Sequence, residues 1–352
     1  MTQVTEQRVT AVLAPRREGA NIRTWIGFKH FLYLAEEAVL AWFRDRGTGP
    51  AALFGGAGLE LSIVDSSALL PAVLELDDVV DAEVAGGPSR FTVRLSARRD
   101  GAPTVLRGKV TVALLAADGI PTGPVPPDLV PAVAGSIAAA ARAAAGAVGL
   151  PGLPGVPGVA GVAGLAGVAG VPGMAGVDGL AGVDGAEDGD AGEPAVPGVD
   201  PSVLLATHPG GFLWSWRVPY YYCQFSRRIQ HSGYVRALEE VVDRFLADRG
   251  LSVRTLLDAR GWIPVVSRAR VTQLSDVEME ETVHTVFTVT DVLKDVSFDA
   301  RMDCYVERGG ALVPAATGRI LHAYAIARGP GAGRLAQLDP PVVAALTGRI
   351  RR

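Results

Sequence analysis

The sequence predicts an α+β protein in which one structural unit occurs twice, with a low-complexity segment between the copies. Each copy has a long amphipathic helix followed by about four strand-like runs, the first copy in residues 1–117 and the second in residues 209–329. Residues 118–208 are rich in glycine, proline and alanine, and residues 330–352 form a tail that we expect to fray or to pack as a short helix. A chain of 352 residues is long enough for two ordinary domains.

The first copy begins with a short predicted strand at Arg8–Leu13, and its helix spans about residues 25–47. Phe31, Leu34, Ala38 and Trp42 recur at spacings of three and four, which places them on one apolar face. The later runs are rich in β-branched residues and predict antiparallel hairpins. These runs are Leu59–Val64, Val79–Val84, Phe91–Ser96 and Val105–Leu114.

The second copy opens with the aromatic, strand-like run Phe212–Phe225. Its helix is predicted over residues 232–249, with Ser232 as the N-cap. We expect His284 and His322 on the faces of the sheet, without a catalytic role. The strands predicted after the helix are Val265–Leu274, Glu281–Val292, Val296–Glu307 and Ala316–Ala327.

The two helices align without a gap, Gly27–Gly47 on Gln230–Gly250, which indicates an internal duplication. A Glu-Glu pair and an Asp-Arg-Gly ending then coincide in both copies. A different register would align His30 with His231, and the sequence leaves both registers open.

Between the copies, glycine recurs at every third position from Gly149 to Gly185, which is the collagen pattern. Proline becomes sparse after Gly173, and valine or leucine fills most first variable positions, so we favour an elastin-like disordered linker. About 90 residues of flexible chain have a root-mean-square span of roughly 50 Å. This length is ample for the two copies to meet face to face.

Composition excludes several classes of function. A net charge of −4 gives no reason to expect a nucleic acid partner. Glycine at every third position makes the apolar linker a poor membrane span. Two cysteines provide neither a disulfide framework nor a metal cluster. The first residues carry charges and lack an apolar leader, so we expect a cytoplasmic protein.

The start of the second helix combines residues that suit carbonyl chemistry. His231 and Gly233 lie at the positive end of the helix dipole, where backbone N–H groups are free. Glu240 follows two turns later on the same side. A free N–H can polarise a carbonyl group, and a carboxylate can attack it or activate water.

The run His231-Ser232-Gly233, with Glu240 nine residues after the histidine, resembles the hotdog-fold acyl-thioester enzymes, a superfamily of acyl-CoA thioesterases and dehydratases. The resemblance covers about residues 209–329. Two further runs are similar to strands of that family, at 261–269 and 316–322. With two copies, the chain resembles a double hotdog, in which a long central helix wrapped by an antiparallel sheet occurs twice as an intramolecular pseudo-dimer.

The resemblance implies hydrolysis of an acyl thioester carried by coenzyme A or an acyl carrier protein, with no cofactor and with the possibility of a further homo-oligomer. Glu240 would be base or nucleophile, the Gly233 N–H would polarise the carbonyl, and His231 would orient it. Aromatic residues before the helix are candidates for an acyl tunnel. The implied substrate-binding residues are Gln224, Tyr222, Gln230, Tyr234, His30 and Glu37.

The sequence also departs from the family. One branch carries an Asp-x-x-Gly-His-Val-Asn run before the helix, and here Gln224 stands at the position of that Asp. Two alternatives therefore remain open. The first is a hotdog dehydratase or isomerase of polyketide or fatty-acid biosynthesis, and the second is a non-catalytic acyl-binding protein.

Overall fold

Two long helices, several short ones and a mainly antiparallel sheet form the described part of the protein. The structure is a computed structural model that describes residues 8–117, 119–147 and 199–348. The Gly-X-Y repeat from Gly149 to Gly185, predicted as an elastin-like linker, lies outside these residues. The helices are α1 (Phe28–Arg44), α2 (Pro50–Ala57), α3 (Ile137–Ala147), α4 (Val203–Thr207), α5 (His231–Asp248), α6 (Val253–Arg260) and α7 (Pro340–Leu346). The strands are β1 (Arg8–Leu13), β2 (Leu59–Leu69), β3 (Val80–Gly86), β4 (Arg90–Ala97), β5 (Thr104–Ala116), β6 (Val133–Ala134), β7 (Phe212–Arg217), β8 (Trp262–Gln273), β9 (Thr282–Leu293), β10 (Ser297–Arg308) and β11 (Ala311–Ile326).

One sheet runs through both copies in the order β1-β3-β4-β5-β2-β8-β11-β10-β9-β7, and β6 pairs with β5. The copies join where β2 and β8 pair antiparallel, from Asp65 opposite Thr272 to Leu69 opposite Arg268. The two central helices, α1 and α5, pack against the sheet and contribute to one continuous core. The predicted intramolecular pseudo-dimer is therefore confirmed.

The apolar stripes of the central helices hold them in place. Val39 and Phe43 of α1 and Val241 and Phe245 of α5 are fully buried. Burial of one such side chain contributes roughly 1.5–3 kcal/mol. Because both stripes enter the same core, each copy covers apolar surface that its partner would otherwise expose to water.

The ungapped register of the two copies is confirmed. The N-caps of α1 and α5 are Gly27 and Gln230, which the ungapped alignment superposes. After these helices, α2 and α6 end at Gly58 and Gly261, with φ of 64° and 65°. Glycine adopts this left-handed conformation without a steric penalty, so both copies turn back into the sheet in the same way. The sequence did not predict α2 or α6.

Several predicted boundaries differ in the structure. Ser232 lies in the first turn of α5 and is not the N-cap, because the extended residue is Gln230. The run predicted as a strand over Phe212–Phe225 leaves the sheet after Arg217. Tyr220–Tyr222 form a 3-10 turn in which Tyr220 and Tyr221 are exposed. Consecutive exposed rings are not compatible with a buried tunnel wall at that point.

Part of the segment predicted as linker packs against the sheet. In α3, Ile137 and Ala140 pack against Val64, Ala113 and Leu115, which form a small second core. The described residues 119–147, which include α3, lie within the segment 118–208 that the sequence predicts as linker. At the other end, α7 confirms the short helix expected in the tail. No helix within the described ranges is long and apolar enough to cross a membrane.

Candidate functional site

Two cavities lie between the central helices, one at the N-terminus of each. The α1 cleft has a volume of about 600 Å³ and is formed by the start of α1, the middle of α5 and strands β8 and β11. Its walls are mainly apolar and carry a few polar groups. Residues that define it are Asn21, Trp25, Gly27, Phe28, Phe31, Leu70, Glu239, Val242, Asp243, Ile263, Val265, Val266, Ile320 and His322.

The α5 pocket is smaller, about 280 Å³, and is formed by the start of α5, the middle of α1 and strand β2. Charged and amide side chains make up much of its lining. Residues that define it are Glu36, Glu37, Leu40, Arg44, Glu60, Leu61, Ser62, Ile63, Gln224, Phe225, Arg228, Gln230 and His231.

The two cavities are equivalent positions of the duplicated fold. Most residues that line the α5 pocket have a counterpart, 203 residues away in the sequence, that lines the α1 cleft. Equivalent backbone therefore presents different side chains. The matched pairs, α1 cleft first, are Asn21 and Gln224, Trp25 and Arg228, Gly27 and Gln230, Phe28 and His231, Glu239 and Glu36, Asp243 and Leu40, Ile263 and Glu60, Val265 and Ser62.

At the start of α1, two backbone N–H groups are left for a ligand. The Gly27 N–H donates to Gly19 O at 2.8 Å, and the His30 N–H donates to Gly27 O at 3.1 Å. Among the described residues, the N–H groups of Phe28 and Lys29 have no hydrogen-bond partner. They point along the helix axis at its positive end, where a polarised carbonyl oxygen binds favourably.

The start of α5 repeats this arrangement. The Gln230 N–H donates to Tyr222 O at 2.8 Å, and the Gly233 N–H donates to Gln230 O at 3.0 Å. The predicted donor Gly233 is therefore already engaged. Within the described part of the chain, the N–H groups of His231 and Ser232 are the ones without a partner at this end.

A carboxylate from α5 lies at the start of α1. A Cβ added to Gly27 would lie 3.7 Å from Glu239 Oε1, at van der Waals contact, so this carboxylate lies directly beside the helix end. Lys29 Nζ forms a salt bridge of 2.5 Å with Glu239 Oε2. This pair joins α1 to α5 and fixes Glu239 at the mouth of the α1 cleft.

One turn further along α5, Asp243 lines the same cleft without a hydrogen bond or salt bridge to any described residue. Burial among the cleft walls raises the pKa of Asp243 to about 6, with a further contribution from the charges of Glu239 and Glu240. The positive charge of Lys29 lowers the pKa of Asp243. A carboxyl group with this pKa is well matched to proton transfer near neutral pH.

The carboxyl group equivalent to Glu239 has a different environment. In the α5 pocket, burial raises the pKa of Glu36 to about 7, and the charge of Glu37 raises it further. No described residue forms a hydrogen bond or salt bridge with Glu36, since Ser232 occupies the position that Lys29 holds in the other copy. Glu36 is therefore partly protonated near neutral pH.

His231 joins the two copies. Its Nε2 lies 3.1 Å from Val271 O and 3.2 Å from Ser66 Oγ, one partner on each side of the β2·β8 junction. Because a carbonyl oxygen only accepts, Nε2 carries the proton. Burial lowers the pKa of His231, so the ring is neutral and its one N–H is already used. The ring lines the α5 pocket but has no N–H left to donate to a thioester.

Of the other predicted site residues, three line the α5 pocket, namely Gln224, Gln230 and Glu37. Neither cavity is lined by Glu240, Gly233, Tyr222, Tyr234 or His30.

Glu240 is exposed and bonded to Arg244 at 2.6 Å, one turn along the same helix. Tyr234 is fully buried, and the His30 ring packs against Gly19. The structure therefore does not bring Glu240 together with His231.

The structure places four acidic residues at these cavities that the sequence alone did not single out, Glu36, Glu60, Glu239 and Asp243. The signal for two of them was present in the Glu-Glu pair of each helix. One residue along a helix is a rotation of about 100°, which turns Glu240 to solvent and Glu239 to the junction between copies. The alignment of the two helices cannot decide between adjacent residues that both match.

Comparison with known proteins supports the fold. Residues 141–200 match the family described as collagen triple helix repeat. No curated protein matches the chain by sequence. The structure is similar to a 12:0-ACP thioesterase from Umbellularia californica, with a TM-score of 0.53 and 10% identity over 90% of this chain and 94% of that one. It is also similar to a protein described as an oleoyl thioesterase from Lactobacillus plantarum, with a TM-score of 0.52 and 9% identity over 91% and 97%. The predicted double hotdog fold is confirmed.

Proposed function

We propose that the protein hydrolyses an acyl thioester in the α1 cleft. One observation carries the proposal: Asp243 lines the same cavity as Phe28, at the helix start where the Phe28 and Lys29 N–H groups have no partner among the described residues. Burial raises the pKa of Asp243 to about 6, and no described residue forms a hydrogen bond or salt bridge with it. A base near its working pH and donors for a carbonyl oxygen are the two groups that this hydrolysis requires. The proposal keeps the predicted reaction but moves it to the other helix N-terminus.

The shape and polarity of the cleft suit an acyl chain. A volume of about 600 Å³ falls within the usual range of small-molecule sites, which are mostly apolar with a few polar groups. Trp25, Phe28, Phe31, Val242 and Val265 supply apolar surface. The polar groups Glu239 and Asp243 lie on α5, beside the helix start where the thioester would be held.

In the proposed step, the carbonyl oxygen accepts hydrogen bonds from the Phe28 and Lys29 N–H groups. Asp243 removes a proton from water, and the water oxygen bonds to the carbonyl carbon. The C–S bond then breaks, and the proton held by Asp243 passes to the departing sulfur to give an acid and a thiol. Removing an oxyanion donor costs about 10²–10³ in rate, and a general base contributes about 10²–10⁴.

Glu239 and Lys29 position and tune this machinery without a role as the base. Their salt bridge holds Glu239 next to Gly27, where its charge helps to keep the pKa of Asp243 raised. Lys29 limits that effect and places a cation beside the carbonyl site. The pair therefore adjusts the pH at which Asp243 is an effective base.

The carrier is proposed as coenzyme A or an acyl carrier protein. One structural relative is named for a 12:0 chain on such a carrier, and another is described as acting on an oleoyl group. These names support a fatty acyl chain as the first substrate to try. The apolar lining of the cleft supports the same choice.

Product analysis tests the reaction. The purified full-length protein is incubated with dodecanoyl-CoA and with dodecanoyl carrier protein, and thiol and free acid are quantified by thiol reagent and mass spectrometry. We expect equal amounts of thiol and acid. An enoyl thioester from a 3-hydroxyacyl substrate would instead establish the dehydratase alternative, and tight binding without conversion would establish an acyl-binding protein.

A further inference from the structure

We propose that His322 recognises an oxygen atom within the ligand of the α1 cleft, so that the preferred ligand is an acyl chain bearing a hydroxyl or keto group. The acyl class of the ligand rests on the proposed function above. Recognition of the oxygen rests on separate observations, which concern the wall formed by β11. His322 is thereby a specificity residue outside the proposed reaction centre.

His322 is held rigidly in the cleft wall. It lies on β11 opposite Val266 of β8 and is 3% exposed. Its ring stacks on Phe298 with centroids 4.7 Å apart and meets the edge of Tyr324 at 5.1 Å. Packing on both sides fixes the direction of the ring, and the ring lines the α1 cleft.

The hydrogen-bonding capacity of His322 is not used within the described part of the protein. Nδ1 is fully buried and has no partner. Burial lowers the pKa of His322 to about 3, so the ring is neutral and carries a single proton. With Nδ1 enclosed, Nε2 is the ring nitrogen left for a ligand, and a proton there makes it a hydrogen-bond donor to the cleft.

The duplicated fold provides an internal reference for this position. Val266 pairs with His322 in the second copy, and the equivalent Ile63 pairs with Val112 in the first. Valine satisfies the packing of this wall without burying a polar ring. A buried imidazole without a partner destabilises the fold. A ligand oxygen bonded to Nε2 would give His322 a hydrogen bond that a valine at this position cannot form.

The chemistry of the ligand follows from the donor. Nearby side chains of the cleft, such as Ile320 and Val265, are apolar, so a hydrocarbon chain can lie along the wall. A neutral N–H donor favours an uncharged acceptor such as a hydroxyl, keto or ether oxygen. In an apolar surrounding, one such hydrogen bond discriminates between chains that have the oxygen and chains that lack it.

Binding of unreactive amides tests the proposal without relying on turnover. Calorimetry on the full-length protein compares dodecanamide with its hydroxy and keto derivatives substituted at successive carbons. We expect a derivative at one position or a few adjacent positions to bind about tenfold more tightly than dodecanamide. His322→Val, which reproduces the residue of the first copy, should abolish this preference and retain binding of dodecanamide.

Tyr324→Phe is the matched control, because the Tyr324 hydroxyl is also buried without a partner but Tyr324 does not line the cleft. The preference should survive in this variant. The proposal is overturned if no derivative binds more tightly than dodecanamide to the natural protein, or if the preference persists in His322→Val. Preferential binding without thioester hydrolysis would refute only the proposed function.

Discussion

The α1 cleft and the α5 pocket are built on equivalent backbone, yet they present opposite environments. Asp243 in the cleft corresponds to Leu40 in the pocket, and the salt-bridged Glu239 corresponds to the unpaired Glu36. A few substitutions thus create one apolar cavity with a base and one small polar cavity. The comparison shows how a duplicated fold keeps its packing and changes its chemistry locally.

The α5 pocket owes much of its polarity to Arg228, which stands where the cleft has Trp25. Arg228 bonds Glu60 of the first copy at 2.7 Å and Asp276 of the second at 3.0 Å. Glu60 is buried, so this network lies at the junction of the two copies. The pocket therefore contributes to assembly, whereas the cleft leaves Asp243 without a hydrogen-bond or salt-bridge partner among the described residues.

The largest expected effect is on turnover, and it distinguishes the α1 cleft from the α5 pocket. Asp243→Asn should reduce kcat for dodecanoyl-CoA by about 10²–10⁴, because the amide cannot accept the proton from water. Leu40→Asn, at the equivalent position of the α5 pocket, is the matched control and should retain turnover. Steady-state kinetics with circular dichroism of both variants provides the measurement. Comparable losses of kcat in both variants would show that catalysis is not confined to the α1 cleft.

The next largest expected effect is on the stability of the protein, and it concerns Glu36. Its pKa is raised from 4.5 to about 7, so the folded state binds more protons than the unfolded state between these values. Stability contributed by this group therefore falls as pH rises through that window. Glu36→Gln should stabilise the protein by about 1–3 kcal/mol at pH 8 and little at pH 5.

Urea unfolding at the two pH values measures this difference. Asp258→Asn, on the exposed surface of α6, is the control and should show little change at either pH. An equal gain for Glu36→Gln at pH 5 and pH 8 would mean that the Glu36 carboxyl is not protonated in the folded protein.

His231→Phe sharpens the comparison further, since Phe28 is the equivalent residue of the first copy. The variant loses the hydrogen bonds to Val271 O and Ser66 Oγ, which should cost about 1–3 kcal/mol. Turnover should stay close to that of the natural protein, because His231 does not line the α1 cleft. A hundredfold loss of kcat in a well-folded His231→Phe variant would indicate that the reaction takes place at the start of α5.

The smallest effects concern the pH dependence of kcat/KM. Its acidic limb should follow Asp243, with the rate rising as pH passes through about 6. Lys29 lowers the pKa of Asp243 and Glu239 raises it, so Lys29→Ser should move the limb to higher pH and Glu239→Gln to lower pH. Shifts in the same direction would show that Asp243 is not the titrating base.

Much of the fold follows from the sequence because its signals are periodic. The apolar stripes of α1 and α5, the alternation of β9 and the ungapped alignment of Gly27–Gly47 on Gln230–Gly250 predict two equivalent copies. The short helices α2 and α6 lack such a signal, since each has two turns. Gly58 and Gly261 mark their ends only once the structure shows the left-handed turn.

The site is less accessible to sequence reasoning because it combines residues from both copies. The start of α1 meets Glu239 and Asp243 only through the packing of α1 on α5. Spacing within one helix favours Glu240 as the catalytic carboxylate, because Glu240 lies in the same segment as His231. Whether a carboxylate faces solvent or the partner helix is set by tertiary packing, and the raised pKa of Asp243 depends on that packing as well.

The most direct test locates the thioester itself. A crystal structure of the protein with an unreactive analogue of dodecanoyl-CoA, in which a methylene group replaces the thioester sulfur, shows which helix start holds the carbonyl oxygen. The account predicts hydrogen bonds from the Phe28 and Lys29 N–H groups, with Asp243 facing the carbonyl carbon and the chain in the α1 cleft. A carbonyl oxygen bound instead by the N–H groups of His231 and Ser232, beside Glu36, would contradict it.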